Sequence, residues 1–97
     1  MESVNYLKVP GSDNTHEITV YSLTTCPHCN AVKQYLKDKG LSFKYLNMDE
    51  ATHDEKREVT LFLKAHKLQI AFPMVIIDEK VLQGFDVKMM ENYLGQS

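Results

Sequence analysis

The chain has 97 residues, enough for one domain and too few for two, and its 43% hydrophobic and 25% charged residues are the balance of a folded rather than a disordered protein. A net charge of −2 leaves no basic excess to neutralise phosphates, which argues against nucleic-acid binding. No apolar run nears the roughly 18–20 residues of a membrane span, and Met1 to Val9 lack the basic-then-apolar layout of a signal peptide, so no membrane role and a cytoplasmic location are expected.

Residues 1–16 are expected to form an N-terminal extension. Residues 3–9 have the makings of an edge strand, joined through the turn-like Pro10-Gly11-Ser12-Asp13-Asn14 to a single domain over 17–97. Residues 17–22 are β-branched and aromatic-rich and read as a strand. From about Pro27 to Lys39 the period becomes helical, with Cys29, Val32 and Leu36 on one face and Ala31 and Tyr35 widening it. Thr25 is the expected N-cap, Pro27 suits the first turn, and Gly40 suits the C-terminal stop.

Residues 42–48 read as a second strand, so strand, helix and strand make a parallel unit with a right-handed crossover. The charged run from Asp49 to Glu58 reads as the solvated start of a second helix over about 54–67. That helix carries an apolar stripe of Val59, Phe62 and Leu63, with His66 at its boundary. Phe72 to Ile77 is an apolar strand containing proline, Asp78-Glu79 a two-residue turn, and Lys80 to Gln83 the returning strand. Asp86 is the expected cap of a last helix, with Met89, Met90, Tyr93 and Leu94 facing inward and Gly95 ending it. The order β-α-β-α-β-β-α is that of an α/β fold with a four-stranded mixed sheet, and the N-terminal strand would add to one edge.

The two cysteines stand in Cys26-Pro27-His28-Cys29. A disulfide between them closes too short a loop to restrict the unfolded chain, so a structural staple explains them poorly. A tetrahedral zinc site usually needs two such pairs, and His16, His53 and His66 follow no ligand spacing. The pair falls just after a strand, on the opening turn of a helix. There the unpaired backbone N–H groups and the macrodipole favour a thiolate, and such cysteines have pKa values of about 3.5–7.5 against about 8.5 when free. Cys26 is expected to be the exposed member and Cys29, on the apolar face, the buried one. That asymmetry suits a nucleophile and a resolving thiol.

Three segments resemble the thioredoxin superfamily, and within it glutaredoxins and glutaredoxin-like redoxins. Val20-Tyr21-Ser22 precedes Thr25-Cys26-Pro27-His28-Cys29 as that family's first strand precedes Cys-Pro-Tyr-Cys. Phe72-Pro73-Met74-Val75 is similar to its Val-Pro-X-Val segment, and Gly84-Phe85-Asp86 to the glycine-containing segment after the last strand. The resemblance implies a thioredoxin-like three-layer fold and a monomeric thiol–disulfide oxidoreductase serving electron transport and redox homeostasis. It implies a cis Pro73 facing the dithiol, with the Phe72 backbone, Gly84, Phe85 and Asp86 forming the substrate groove and Lys33 a basic position after the motif.

No tightly bound cofactor or metal is implied, since the redox-active Cys26-Cys29 disulfide is itself the centre. Leu23 stands where glutathione-using members usually carry lysine, and Phe85 where they carry a second glycine. Gly84-Phe85-Asp86 is more similar to glutaredoxin-like electron donors that a thioredoxin-reductase-type enzyme reduces. The implied partners are therefore disulfide-containing proteins and either glutathione or such a reductase. His28 replaces the usual tyrosine; an imidazole beside the helix start favours the reduced thiolate, which raises the potential above the roughly −270 mV of thioredoxin. The alternative function is an iron–sulfur or metal carrier on the same cysteines, which the rigid Pro27 disfavours.

Overall fold

The computed structural model describes residues 5–95. Its elements are β1 (Leu7–Val9), β2 (Ile18–Ser22), α1 (Pro27–Asp38), β3 (Phe43–Asn47), a 3-10 turn (Met48–Glu50), α2 (His53–Ala65), β4 (Met74–Ile77), β5 (Lys80–Gln83) and α3 (Val87–Tyr93). The sheet order is β1-β3-β2-β4-β5. β2 runs parallel to β3 and antiparallel to β4, while β1 and β5 are antiparallel edges. The sheet thus has five strands, the four of the expected order plus the N-terminal strand on one edge. Of the strand expected over 3–9, residues 7–9 pair with β3, and residues 3 and 4 lie outside the described residues.

Alternation along the strands sends neighbouring side chains to opposite faces. Ile18 and Val20 of β2, Phe43 of β3, Val75 and Ile77 of β4, and Leu82 of β5 turn to one face. There they meet Val32 and Leu36 of α1 and Met90 and Leu94 of α3. Tyr21, Leu46 and Met74 turn to the other face and meet Val59 and Leu63 of α2. Two cores on the two faces of one sheet make the three-layer α/β architecture. Each buried Leu, Val, Ile or Met contributes about 1.5–3 kcal/mol of transfer free energy. Among the described residues no helix is long and apolar enough to cross a membrane.

Several local details differ from the expectations. Thr52 caps α2, which starts at His53. Its hydroxyl accepts from Glu55 N–H at 3.1 Å, and the Glu55 carboxylate accepts from Thr52 N–H at 2.8 Å. Glu55 is only 6% exposed, so the charged run is not wholly solvated. Its second oxygen accepts from Asn5 N–H at 2.8 Å, tying the first strand's approach to α2. His66 lies beyond the helix, exposed, with its ring 4.4 Å from that of Phe62. Met89 is 36% exposed rather than inward, because Met90 and Leu94 take the inner positions of the short α3. Both turn residues, Asp78 and Glu79, have positive φ (48° and 77°), the backbone of a type I′ hairpin.

The extension docks where α1 meets β3. Asp13 N–H donates to Gly40 O at 2.9 Å, and Ser42 N–H donates to Asp13 O at 2.8 Å. Gly11 lies so close that a Cβ there would stand 2.5 Å from Gly40 O.

Candidate active site

Both sulfurs sit at the junction of β2 and α1. Cys26 N–H donates to Leu23 O at 3.3 Å, which closes a tight turn out of the strand. The turn is anchored by the Asp49 carboxylate, which accepts from Thr24 N–H at 3.0 Å and from the Thr24 hydroxyl. Cys26 keeps extended backbone angles (φ −92°, ψ 115°) and is itself the N-cap of α1. Its sulfur accepts from Cys29 N–H at 3.3 Å, satisfying a donor that a helix start leaves unpaired. Thr25, the expected cap, is exposed in the turn: the extended residue directly before the first helical one is Cys26.

Both cysteines are free thiols, Cys26 partly exposed and Cys29 buried. A hydrogen bond from the Cys29 thiol, more than any other contact, holds the Cys26 thiol below its ordinary range. The N–H groups of Cys29 and His28 and the charge of Lys33 add to it. Cys29 is pushed up to about 11, first by burial and then by its hydrogen bond with Cys26. One turn therefore holds two thiols shifted in opposite directions, Cys26 toward the thiolate and Cys29 away from it. Pro27 and His28, at the first two helical positions, are exposed.

The start of β4 and the end of β5 lie at the same end of the sheet. Met74 pairs with Tyr21 of β2, so Pro73, buried just before β4, lies level with the end of β2. The Phe72–Pro73 peptide is cis. Gly84 N–H donates to Pro73 O at 2.8 Å and brings the segment after β5 alongside. Gly84 has φ +97° with open space about it, so backbone conformation and not crowding asks for glycine. Phe85 packs edge-on against Tyr35 of α1, ring centroids 6.0 Å apart, which assigns its ring to the flank of the core. Asp86 caps α3, accepting from Met89 N–H at 3.2 Å.

Lys33 is half-buried one turn beyond Cys29. Its ammonium donates to Asn47 Oδ1 at 3.0 Å and lies 4.3 Å from the centroid of Tyr45. Asn47 Oδ1 also accepts from the buried Ser22 hydroxyl at 2.7 Å, and Asn47 Nδ2 donates to Glu50 Oε1 at 3.0 Å. Ser22, Thr24, Asn47 and Asp49 escaped the sequence reading. The available signal was that two apolar strands, predicted to be parallel, carry the polar Ser22 and Asn47 at or next to their ends. Among the described residues no group of three or more His, Cys, Asp or Glu gathers as a metal site.

Comparison with known proteins agrees with this geometry. The family model described as Glutaredoxin matches residues 18–82. Glutaredoxin 1 of Rickettsia conorii is 30% identical over 71 residues, which cover 73% of this chain and 67% of the relative. The crystal structure of the glutaredoxin from Methanosarcina mazei Go1 matches with a TM-score of 0.79 at 28% identity, covering 93% of this chain and 87% of that one. A buckwheat glutaredoxin–glutathione complex matches with a TM-score of 0.64 at 25% identity, covering 86% of this chain and 74% of that one. The chemistry of the family is thiol–disulfide exchange, with glutathione its general reductant. With the matched segment running from β2 through both sulfurs into β5, this chain belongs to the glutaredoxin family.

Proposed function

We propose that the chain reduces protein or small-molecule disulfides by dithiol exchange. The Cys26 thiolate attacks one sulfur of the substrate disulfide. A Cys26–substrate disulfide forms, the substrate S–S bond breaks, and the freed thiolate takes a proton from water. Cys29 then loses its proton and attacks Cys26 Sγ. The Cys26–Cys29 disulfide closes and the second substrate thiol leaves, so the substrate gains two electrons and the dithiol loses two.

The observation that carries this reading is the Cys26 sulfur acting as helix cap, partly exposed, above a buried Cys29 whose N–H points at it. Phe72 and Pro73 offer the backbone edge beside the dithiol, and Gly84, Phe85 and Asp86 frame its flank. His28 contributes its backbone N–H to the Cys26 sulfur, and its exposed ring faces the solvent through which a substrate arrives. The ammonium of Lys33 is engaged by Asn47 and Tyr45, which supports a role toward the sulfurs over one toward substrate. No observation favours the carrier reading.

The test is reduction of a protein disulfide by the purified chain, with two electron sources side by side. One is glutathione with glutathione reductase; the other is NADPH with a thioredoxin reductase. Turnover with glutathione makes glutathione the reductant and shows that Phe85 leaves the groove open. Turnover only with the reductase places the chain among the reductase-dependent redoxins. Silence with both, from folded and fully reduced protein, overturns the proposal.

A further inference from the structure

The parallel register pairs Ser22 with Asn47 at the ends of β2 and β3. Ser22 shares the face of Ile18 and Val20, and Asn47 that of Phe43 and Tyr45, so both turn toward α1. There Lys33 follows Cys29 at the i, i+4 spacing that stacks two side chains on one helix face. The Asn47 carboxamide uses both acceptor positions of its oxygen and one of its two N–H donors. Its oxygen takes the Ser22 hydroxyl and the Lys33 ammonium, and its nitrogen donates to Glu50. These three partners fix which way the amide points.

We propose that Asn47 is a positioning residue: its carboxamide oxygen locks the Lys33 ammonium one turn below Cys29, so that the resolving thiol meets a fixed positive charge as it attacks the mixed disulfide on Cys26. The inference rests on the dithiol mechanism proposed above and concerns its second step alone.

In the first step the attacking Cys26 already has backbone N–H groups and the Cys29 thiol, both ahead of Lys33, to stabilise its charge. In the second step Cys26 is covalently blocked, and the buried Cys29 must itself become anionic. The charged and titratable groups around Lys33 are Cys29 and, more weakly, Cys26, Lys37 of the same helix, Tyr45 of β3, whose ring lies 4.3 Å from the ammonium, and Asp49 and Glu50 of the turn after β3. A lysine is a flexible point charge. Released from Asn47, it would swing toward the exposed Asp49 and Glu50, which would neutralise it away from the sulfur. A neutral amide holds the ammonium without cancelling its charge.

The experiment is stopped-flow mixing of the reduced full chain with dithiobis(nitrobenzoate), which releases one coloured thiolate per step. The first phase reports attack by Cys26 and the second reports resolution by Cys29. Asn47→Leu keeps the size and removes the acceptor. It is expected to raise the pH midpoint of the second phase by about half a unit, since Lys33 is the smallest of the influences on Cys29. The thiolate fraction then falls about threefold, and the greater nucleophilicity of a more basic thiolate recovers part of it, so the second phase at neutral pH slows about twofold relative to the first.

Lys33→Met is expected to do the same, and Asn47→Leu to add nothing in the Lys33→Met background, because Asn47 acts through Lys33. A purely structural Asn47 would lower stability without this pH shift and without this dependence on Lys33. An unchanged ratio of the two phases, or equal slowing by Asn47→Leu with and without Lys33, overturns the proposal. Should Asn47→Leu fail to fold, the Lys33→Met midpoint decides: an unmoved midpoint overturns the proposal. Absence of the first phase in the wild-type chain would instead remove the dithiol mechanism itself.

Discussion

The Cys26 thiolate has a named principal stabiliser, and that makes it testable by a single change at its neighbour. The Cys29 thiol contributes most to holding Cys26 below its ordinary range, ahead of the Cys29 and His28 N–H groups and of Lys33. Cys29→Ala removes that donor and leaves the backbone groups. A hydrogen bond to a charged group is worth about 1.5–3 kcal/mol, but a thiol is a weak donor and Cys26 is partly exposed, so about 1 kcal/mol remains after screening. At about 1.4 kcal/mol per pH unit, the midpoint of Cys26 ionisation should rise by about half to one unit.

The assay is the rate of alkylation by iodoacetamide against pH, with mass spectrometry confirming one addition per chain. In the wild-type chain Cys29, pushed up to about 11, stays unreactive through neutral pH, so the rate reports Cys26. The sign follows from the charge: less stabilised thiolate means half-maximal rate at higher pH. Cys29→Ser, which keeps a donor at the same position, should shift the midpoint less. A Cys29→Ala midpoint at or below that of the wild type would refute the reasoning.

Three further outcomes are expected. Leu36→Ala, in the fully buried face of α1, should lower the unfolding free energy by about 3–5 kcal/mol, read as a lower urea midpoint at unchanged slope. Gly11→Ala should destabilise by about 1–3 kcal/mol, because its Cβ would meet the backbone of Gly40 and Leu41, and amide exchange at Asp13 and Ser42 should accelerate. His16 Nδ1 donates to Asp78 Oδ2 at 2.5 Å, and this contact, ahead of the Leu94 backbone, raises its pKa. Its stabilising contribution is therefore full below the unfolded value of about 6.5 and lost as pH rises through the folded value. Urea unfolding of wild type and His16→Gln at several pH values should show a stability gap that narrows from pH 6 upward, and a gap that widens would refute it.

Much of this chain declares itself through local pattern. The α1 stripe of Cys29, Val32 and Leu36 is a short-range periodic signal, and all three residues are buried. The hairpin was legible because only two residues separate two apolar runs, even though Asp78 and Glu79 lack the glycine such turns favour. Cap positions were less legible. Thr52 next to His53 could be placed only within a residue or two, and Thr25 lost to Cys26 because a sulfur is an uncommon cap. Met89 and Met90 are chemically identical neighbours, and only tertiary packing decides which one turns inward. Glu55 reads as one more surface carboxylate until the first strand's approach brings Asn5 onto it.

The polar frame of the dithiol was hidden for a different reason. Ser22, Lys33, Asn47 and Glu50 lie on four elements, and no spacing in the sequence relates them. Strand register relates them. Slipping β3 by one residue against β2 would turn Asn47 to the α2 face and bring Leu46 or Met48 to the end of Ser22. Lys33 would then lose its acceptor and the buried Ser22 hydroxyl its partner. The register is held by apolar residues far from the sulfurs: Phe43 must face α1 and Leu46 must face α2 for either core to close. The same hydrophobic alternation that closes the two cores therefore also fixes the charge near the resolving thiol, so core substitutions that loosen β3 should slow resolution before they unfold the chain.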